Sequence, residues 1–558
     1  MKPTHLGNKQ RVILGLIVLF LGGSGLVYEY CISTLATHLL GNSVEQFSLI
    51  IALMLFAMGI AGLTQRRLNG LSNIAEAFII VELLLAMIGG SSAIALYIAF
   101  TWMEHFHVAL YSLALIIGFG IGMEIPILLR INQLWRIKLA DNVGDVLALD
   151  YVGALIGALV WAFLLLPVIS LDRISLLLGL ANLGAALVTY ILLRKLIKRH
   201  ALIIAIFTLT ALVLGGLVWR GPTLIETARQ HLYAYPIRFQ TQSPYQSIVV
   251  TGLGQRLSLY LNGRLQFDSE DEFIYHELLV HPAMTHGQRT PKKVLVLGGG
   301  DGLAVREVLK YQTVRDVLLV DLDPAVTELA STYGPLVQLN KGALLDQRVR
   351  QSSAPVQPGQ WKTIQKFAER RLQGLHRHQE SIARVRTMNL DADKFLRESD
   401  GRWDVIIVDF PDPSSPDLSK LYSLEFYQML RLRLRPDGII AIQGGSPYGH
   451  RSSFWSISST LEKAGFQTRA LHAHVPTFGE WGWHLAAPAP IKQWRPLAPD
   501  LRYLSPAVMD AAQVFPATIA RRVTDTHIST RLDPWVMRLY LKGENLEGAA
   551  FFEGRAER

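Results

Sequence analysis

Seven apolar runs, each about as long as a bilayer core requires, fill the chain between residues 12 and 219, and nothing like them follows Gly221. They fall at roughly 12–36, 44–64, 74–101, 107–129, 147–169, 174–193 and 201–219. A run this long and this poor in charge satisfies its backbone polar groups in lipid only as a helix, so residues 1–220 are expected to form an α-helical transmembrane bundle. The first run follows MKPTHLGNKQR in the manner of a secretory leader, yet continues to Leu40 without a small-residue cleavage pattern, and is expected to be retained. Gly89 and Gly90 mark a place for tilt or a kink in the third run. Gly153 and Gly157 have the spacing of a close helix contact.

The net charge of +9 raises the question of a polyanionic partner. Much of the excess sits in short loops: Lys2, Lys9 and Arg11, then Arg66 and Arg67, then Arg130, Arg136 and Lys138, then Arg194, Lys195, Lys198 and Arg199. All of these fall on one side of the predicted bundle, against Arg173 alone in the short loops of the other. The charge bias therefore places the N-terminus in the cytoplasm and makes membrane lipid the expected partner. No recognition motif accompanies the charge, so nucleic acid is not expected. The single cysteine, Cys31, rules out a disulfide framework or a cysteine zinc site within one chain. Glu29, Glu82, Glu124 and Asp150 fall at membrane depth, where an ionisable group faces the bundle interior or a wet cavity. They read either as a path for a cationic amine or as acids paired with polar neighbours.

After Gly221 short apolar runs alternate with polar turns. Residues 221–290 read as a small β unit, with strands at 247–251 and 257–267 and a primed turn at Asn262-Gly263. Leu257, Leu259 and Leu261 share one face of the second strand. Residues 291–500 read as a doubly wound α/β domain. There KVLVL is a buried strand, GGGDG spans Gly298 to Gly302, a helix begins near Ala304, and the next strand ends in Asp321. Glycines in such a turn let a ligand approach the backbone at a helix N-terminus, and an acid ending the second strand holds ribose hydroxyls, so the ligand contains adenosine. Further strands are expected at 385–390, 404–408, 438–442 and 466–470, with a C-terminal extension over 501–558.

The strand DVIIV delivers Asp409 at its C-terminal end, followed by DFPDPSSP. Asp409 and Asp412, stiffened by Pro411, Pro413 and Pro416, make a rigid anionic rim. A metal site would need a further His or acid at ligand spacing. None is evident in the sequence, so no metal is expected and a cationic organic substrate fits better.

These residues resemble the spermidine synthase (polyamine aminopropyltransferase) family, in its bacterial membrane-fused branch. The resemblance is carried in family order by YQSI, GRLQFDSEDEFIYHE, GGGDG, VDLD, DFPDP and LYSLEFY, and in the apolar half by GGSGLVYEY, MEIPILLR and LDYVGALIGAL. It implies a methyltransferase-like Rossmann domain and a decarboxylated S-adenosylmethionine co-substrate, with no permanently bound cofactor. The acceptor it implies is putrescine or a related diamine, and the location a multi-pass protein of the bacterial inner membrane.

Carried over by position, Gln246 and Gln266 contact the donor, together with Gly298, Gly300 and Pro416. Asp301 holds the donor's ammonium, Asp321 the ribose, and the Asp391-Ala392 pair the adenine. Tyr275, His276 and Asp412 border the acceptor amine, and Asp409 is the catalytic base. Residues 476–483, PTFGEWGW, close over the acceptor. Soluble relatives self-associate, so a homo-oligomer is a further expectation.

The chain departs from the family pattern in having Asp at 321 where Glu is usual, the pair Phe410-Pro411, and an insertion of some thirty residues at about 351–383 with a predicted helix over 361–379. The residue chemistry leaves other readings open at several positions. Asp301 also suits a helix cap, and His276 and Tyr275 suit a packed core. At the level of function the alternatives are a methyltransferase using the intact donor, and a polyamine transporter or sensor whose soluble domain only binds. Seven crossings would also carry the soluble half to the face opposite the cytoplasm, away from where the donor is made.

Overall fold

The computed structural model describes residues 8–40, 43–64, 73–133, 139–345, 384–491 and 493–543. Lys2, Arg66, Arg67, Arg136, Lys138 and the helix expected over 361–379 lie outside the described residues. The chain forms two compact units, Met1–Ala234 and Tyr235–Arg558.

The first unit is built from α1 (Asn8–Leu40), α2 (Ser43–Thr64), α3 (Ile74–Trp102), α4 (Phe106–Gln133), α5 (Leu139–Val160), α6 (Leu171–Leu193) and α7 (His200–His231). All seven are long and apolar enough to cross a bilayer. Helix α3 is continuous through its glycine pair; Gly89 makes room for the Tyr28 ring and Gly90 for the backbone of Gly179. Helix α7 runs through Gly221 and Pro222 to His231, past the end of the apolar run. Buried Ile225 and Ala228 continue its packed face at helical spacing, which hydropathy misses among the added charges. Small residues set the contact between α1 and α5: a Cβ on Gly153 would lie 2.0 Å from the Leu19 carbonyl oxygen, and one on Gly157 2.5 Å from that of Gly23. Glu29, Glu82 and Glu124 are buried within the unit, and Asp150 is half-buried against Gly22.

The second unit opens with an antiparallel sheet of β1 (Ile237–Gln242), β2 (Ser247–Leu253), β3 (Arg256–Leu261) and β4 (Arg264–Asp268). Asn262 and Gly263 both have positive φ, 51° and 75°, as the Asn-Gly pair predicts for a primed hairpin turn. Leu257 and Leu259 are buried on the face they share.

Helix α8 (Glu272–Thr285) leads into a seven-stranded sheet made of β5 (Lys293–Gly298), β6 (Asp316–Asp321), β7 (Arg384–Asn389), β8 (Trp403–Asp409), β9 (Leu434–Gly445), β10 (Gln467–Val475) and β11 (Gly479–Ala487). Its order is β10-β11-β9-β8-β5-β6-β7, with β5 to β9 parallel and β11 antiparallel between β9 and β10. This is the methyltransferase-like arrangement. Along β5, Val294 and Val296 join one apolar core while Leu295 and Leu297 join the other, so the strand is covered on both faces.

The chain leaves β5 toward β6 and β7, then returns to β8 on the other side. That reversal opens a crevice at the carboxyl ends of β5 and β8, where such sheets bind ligands.

C-terminal residues are tied back onto this domain. Glu277 accepts the backbone N–H groups of Arg502, Tyr503 and Leu504, and the Trp455 indole, on α10 (Arg451–Lys463), donates to the Ile519 carbonyl.

Candidate active site

The glycine turn after β5 is held by what surrounds it. Gly298 has φ 78°, and a Cβ there would sit 2.1 Å from the Asp409 carbonyl oxygen, because the two residues are in register on adjacent strands. Only glycine fits a left-handed conformation this close to another backbone. Two residues on, the Gly300 N–H donates to Asp321 Oδ2 at 2.9 Å, and Oδ1 of the same carboxylate accepts from the Asp323 N–H. Asp301 Oδ1 accepts the N–H of Leu303, the first residue of α9 (Leu303–Val308), at 2.8 Å, while the N-cap position itself is Gly302. The expected cap position is thus taken by Gly302, and the Asp301 carboxylate holds the turn in front of it.

Asp409 ends β8 in the same crevice. The Tyr275 hydroxyl, from α8, donates to its Oδ1 at 2.6 Å. Tyr275 packs in turn against Phe478, Trp481 and Trp483, so residues 476–483 reach the site as the β10–β11 turn and the start of β11. Asp271 anchors that turn by accepting the Thr477 N–H and hydroxyl. His276 is buried; its Nδ1 lies 2.9 Å from Glu272 Oε2, and Glu272 also takes both Nη atoms of Arg306 at 2.8 Å. What His276 offers the crevice is positive charge.

Asp412 stands on the next turn. Gln443 at the end of β9 donates to its Oδ1 at 3.2 Å, to the Phe410 carbonyl at 2.6 Å and to the Tyr422 hydroxyl at 2.8 Å, which fixes the DFPDP loop. Of the remaining sequence-predicted residues, Asp391 and Pro416 follow strands that end at the same edge of the sheet, whereas Gln266 lies on β4 of the four-stranded sheet. Asp391 caps the helix after β7, next to the Leu390 N–H that donates to the Asp321 carbonyl, and is paired with Lys420 at 2.8 Å. Pro416 begins the short turn that carries Lys420, while the Ala392 side chain lies in the core. Gln246 donates to Asp323 at 3.0 Å and Gln266 to the Arg264 carbonyl at 3.1 Å.

Burial raises Asp301 to about 6, helped by Asp409 and opposed by the His276 charge. It likewise raises Asp321 to about 6 against two backbone donors, and raises Asp409 against the His276 charge and the Tyr275 hydrogen bond. Burial by itself would lower His276, but the Glu272 carboxylate carries it up to about 9. None of Asp301, Asp321, Asp409 and Asp412 is ion-paired among the described residues, whereas Glu272 and Asp391 are. A crevice lined this way suits a cation. No group of three or more His, Cys, Asp or Glu among the described residues is arranged to hold a metal ion.

Sequence reasoning missed Asp323, Gln443 and Tyr540. The buried Gln443 directly after the apolar run Ile439–Ile442 is a readable signal; Tyr540 carries none, because its contact is made across the fold.

Sheet order and glycine turn define a methyltransferase-like Rossmann domain carrying an anionic crevice. Residues 272–351 and 364–490 match the Spermine/spermidine synthase domain. The chain is 40% identical to polyamine aminopropyltransferase 1 of Streptomyces coelicolor, over 97% of this chain and 96% of that one. It is 38% identical to the polyamine aminopropyltransferase of Leptospira interrogans (90% and 93% covered) and to that of Mycobacterium tuberculosis (94% and 95%). A solved spermidine synthase in complex with the transition-state analogue AdoDATO aligns at 26% identity and TM-score 0.41, covering 50% of this chain and 85% of that one. The chain belongs to the polyamine aminopropyltransferase family and is an enzyme of the spermidine synthase type. Because the matches span nearly the whole chain, the seven-helix unit is part of what is shared.

Proposed function

We propose that the enzyme transfers the aminopropyl group of decarboxylated S-adenosylmethionine to putrescine, giving spermidine and methylthioadenosine. The observation that carries this reading is that Asp301 lies in the glycine turn, Asp409 lies against it and Asp412 stands on the loop that follows Asp409, none of the three ion-paired among the described residues. In the reaction an amine nitrogen attacks the methylene beside the sulfonium. A C–N bond forms, the C–S bond breaks, and the thioether leaves neutral, so no general acid is needed. The attacking nitrogen must instead give up a proton, which Asp409 accepts; its raised pKa makes it a better base near neutrality.

On this reading Asp301 pairs with the donor's ammonium and repels the carboxylate of the intact methyl donor. Asp321 holds the ribose, with Gln246, Gln266, the glycine turn and Pro416 around the donor and Asp391-Ala392 at its adenine. Tyr275, His276 and Asp412 border the acceptor. Purified enzyme given both substrates is expected to release methylthioadenosine and spermidine in equal amounts. Methyl transfer from the intact donor, with no aminopropyl transfer, would overturn the reading.

The sign of the pH dependence follows from the same groups. The kcat/KM for the donor reports the free enzyme and should fall as pH drops through about 6, where Asp301 and Asp321 take up protons. Both are raised above their ordinary 3.8, so their contribution to folding is fully present below 3.8 and is lost as pH rises through about 6. Asp301→Asn is therefore expected to raise the thermal midpoint at pH 8 while weakening donor binding at least tenfold, since a charge-assisted contact is worth roughly 1.5–3 kcal/mol. Differential scanning fluorimetry and donor titration read the two effects.

The seven helices cross the inner membrane on this reading, with the N-terminus cytoplasmic. Leu16, Phe56, Leu63 and Trp219 are more than half exposed on them, as lipid-facing side chains are. Protease access to the segment after Gly221 in spheroplasts reports the side on which the second unit lies.

A further inference from the structure

Asp412 has a partner from far along the chain. Helix α11 (Trp535–Lys542) places the Tyr540 hydroxyl 3.1 Å from Asp412 Oδ2, the oxygen that Gln443 leaves open. The Tyr540 ring is stacked on His450, centroid to centroid 4.1 Å and 21° from parallel. The helix itself is anchored. Val536 is fully buried in the core under β8 and β9, its carbonyl accepts from Ser453, and the preceding segment is held by a buried Arg451–Asp525 pair at 2.7 Å. Nothing in this segment falls in the span that matches the synthase domain, which ends at residue 490.

We propose that Tyr540 is an acceptor-site residue that positions Asp412 and supplies a second oxygen to the distal ammonium of a diamine. The inference rests on the reading of Asp412 as the amine-binding acid. An ammonium presents three donors, and Asp412 Oδ1 is already engaged by Gln443. Tyr540 spends its proton on Oδ2, which leaves its own oxygen lone pairs to accept from the ammonium. One cation is thereby held between a carboxylate oxygen and a phenol oxygen whose positions are fixed by segments 128 residues apart. Arg264, close enough for its charge to be felt at the Tyr540 hydroxyl and hydrogen-bonded to Ser414 at 2.8 Å, adds a positive charge beside this end of the site.

Tyr540→Phe keeps the stacked ring and removes only the oxygen. In the full-length enzyme it is expected to raise the KM for putrescine about tenfold, the effect of one hydrogen bond to a charged group. The kcat, the KM for the donor and the thermal midpoint should stay near those of the parent. In an Asp412→Asn background the same change should cost less than it does in the parent, because its positioning of Asp412 is already lost and only its own contact with the ammonium remains. An unchanged putrescine KM in Tyr540→Phe, or a full additional loss in the double variant, overturns the proposal. If Asp412→Asn alone leaves the putrescine KM unchanged, the reading of Asp412 fails first; if it raises KM and Tyr540→Phe does not, only the role of Tyr540 fails.

Discussion

Asp409→Asn is expected to lower kcat by roughly 10³-fold, within the range for losing a positioned general base. The substitution keeps the shape of the side chain and an oxygen to accept the Tyr275 hydroxyl, now at 2.6 Å, so the crevice keeps its walls. It removes the one capacity that the reaction needs from this position, that of taking a proton from the attacking amine. The KM for the donor should change only a few-fold, because the proposed donor contacts lie on Asp301, Asp321 and the glycine turn. Steady-state release of methylthioadenosine measures both constants. A kcat within threefold of the parent would mean that the proton leaves by another route and that Asp409 is a structural acid.

Arg306→Met should have the largest effect on stability. Arg306 is buried between Glu272 and Glu307, each 1% exposed, with Nη1 and Nη2 on Glu272 and Nε on Glu307, all at 2.8 Å. Removing the cation leaves two buried carboxylates short of their partner, a loss of about 3–5 kcal/mol when one member of a buried pair is removed. Burial opposes ionisation of both acids, yet His276 and Arg306 at Glu272, and His281, Arg306 and Lys310 at Glu307, hold them below the ordinary 4.5. Their stabilisation is thus present above pH 4.5 and is lost as pH falls through the depressed folded-state values. In the variant the thermal midpoint of the second unit should fall by on the order of 10 °C at neutral pH. The acid-side loss should also be smaller than in the parent. Adding Glu272→Gln should recover part of the loss; no recovery would show that the Arg306 stem, not its charge, does the stabilising. Since Arg306 joins α8 to α9, whose first N–H is held by Asp301, activity is expected to fall along with stability.

Much of this arrangement could be read from local pattern. The seven long helices of the first unit are visible because the length and apolarity of each segment can be read separately. The Asn262-Gly263 turn, the GGGDG turn and the strand ending in Asp409 are likewise short-range signals, each set by the backbone preference of a few adjacent residues. Strand β11 was not legible in the same way. Its sequence GEWGWHLAA breaks alternation with two glycines, and it is a strand because the space between β9 and β10 is open to it, with Gly482 in contact with the Phe454 ring. The end of α7 was also hidden, because charged residues there mask a packed face.

By itself the sequence determined which residues stand at strand ends and tight turns, and hence that acids and glycines meet at one edge of a parallel sheet. Only the tertiary structure decided how those acids are engaged: Tyr275 on Asp409, Gln443 and Tyr540 on Asp412, Glu272 between His276 and Arg306. The reason is separation along the chain. Backbone propensity and hydrophobic period act over a few residues, whereas Tyr540 and Asp412 are 128 residues apart and are joined by the packing of everything between them.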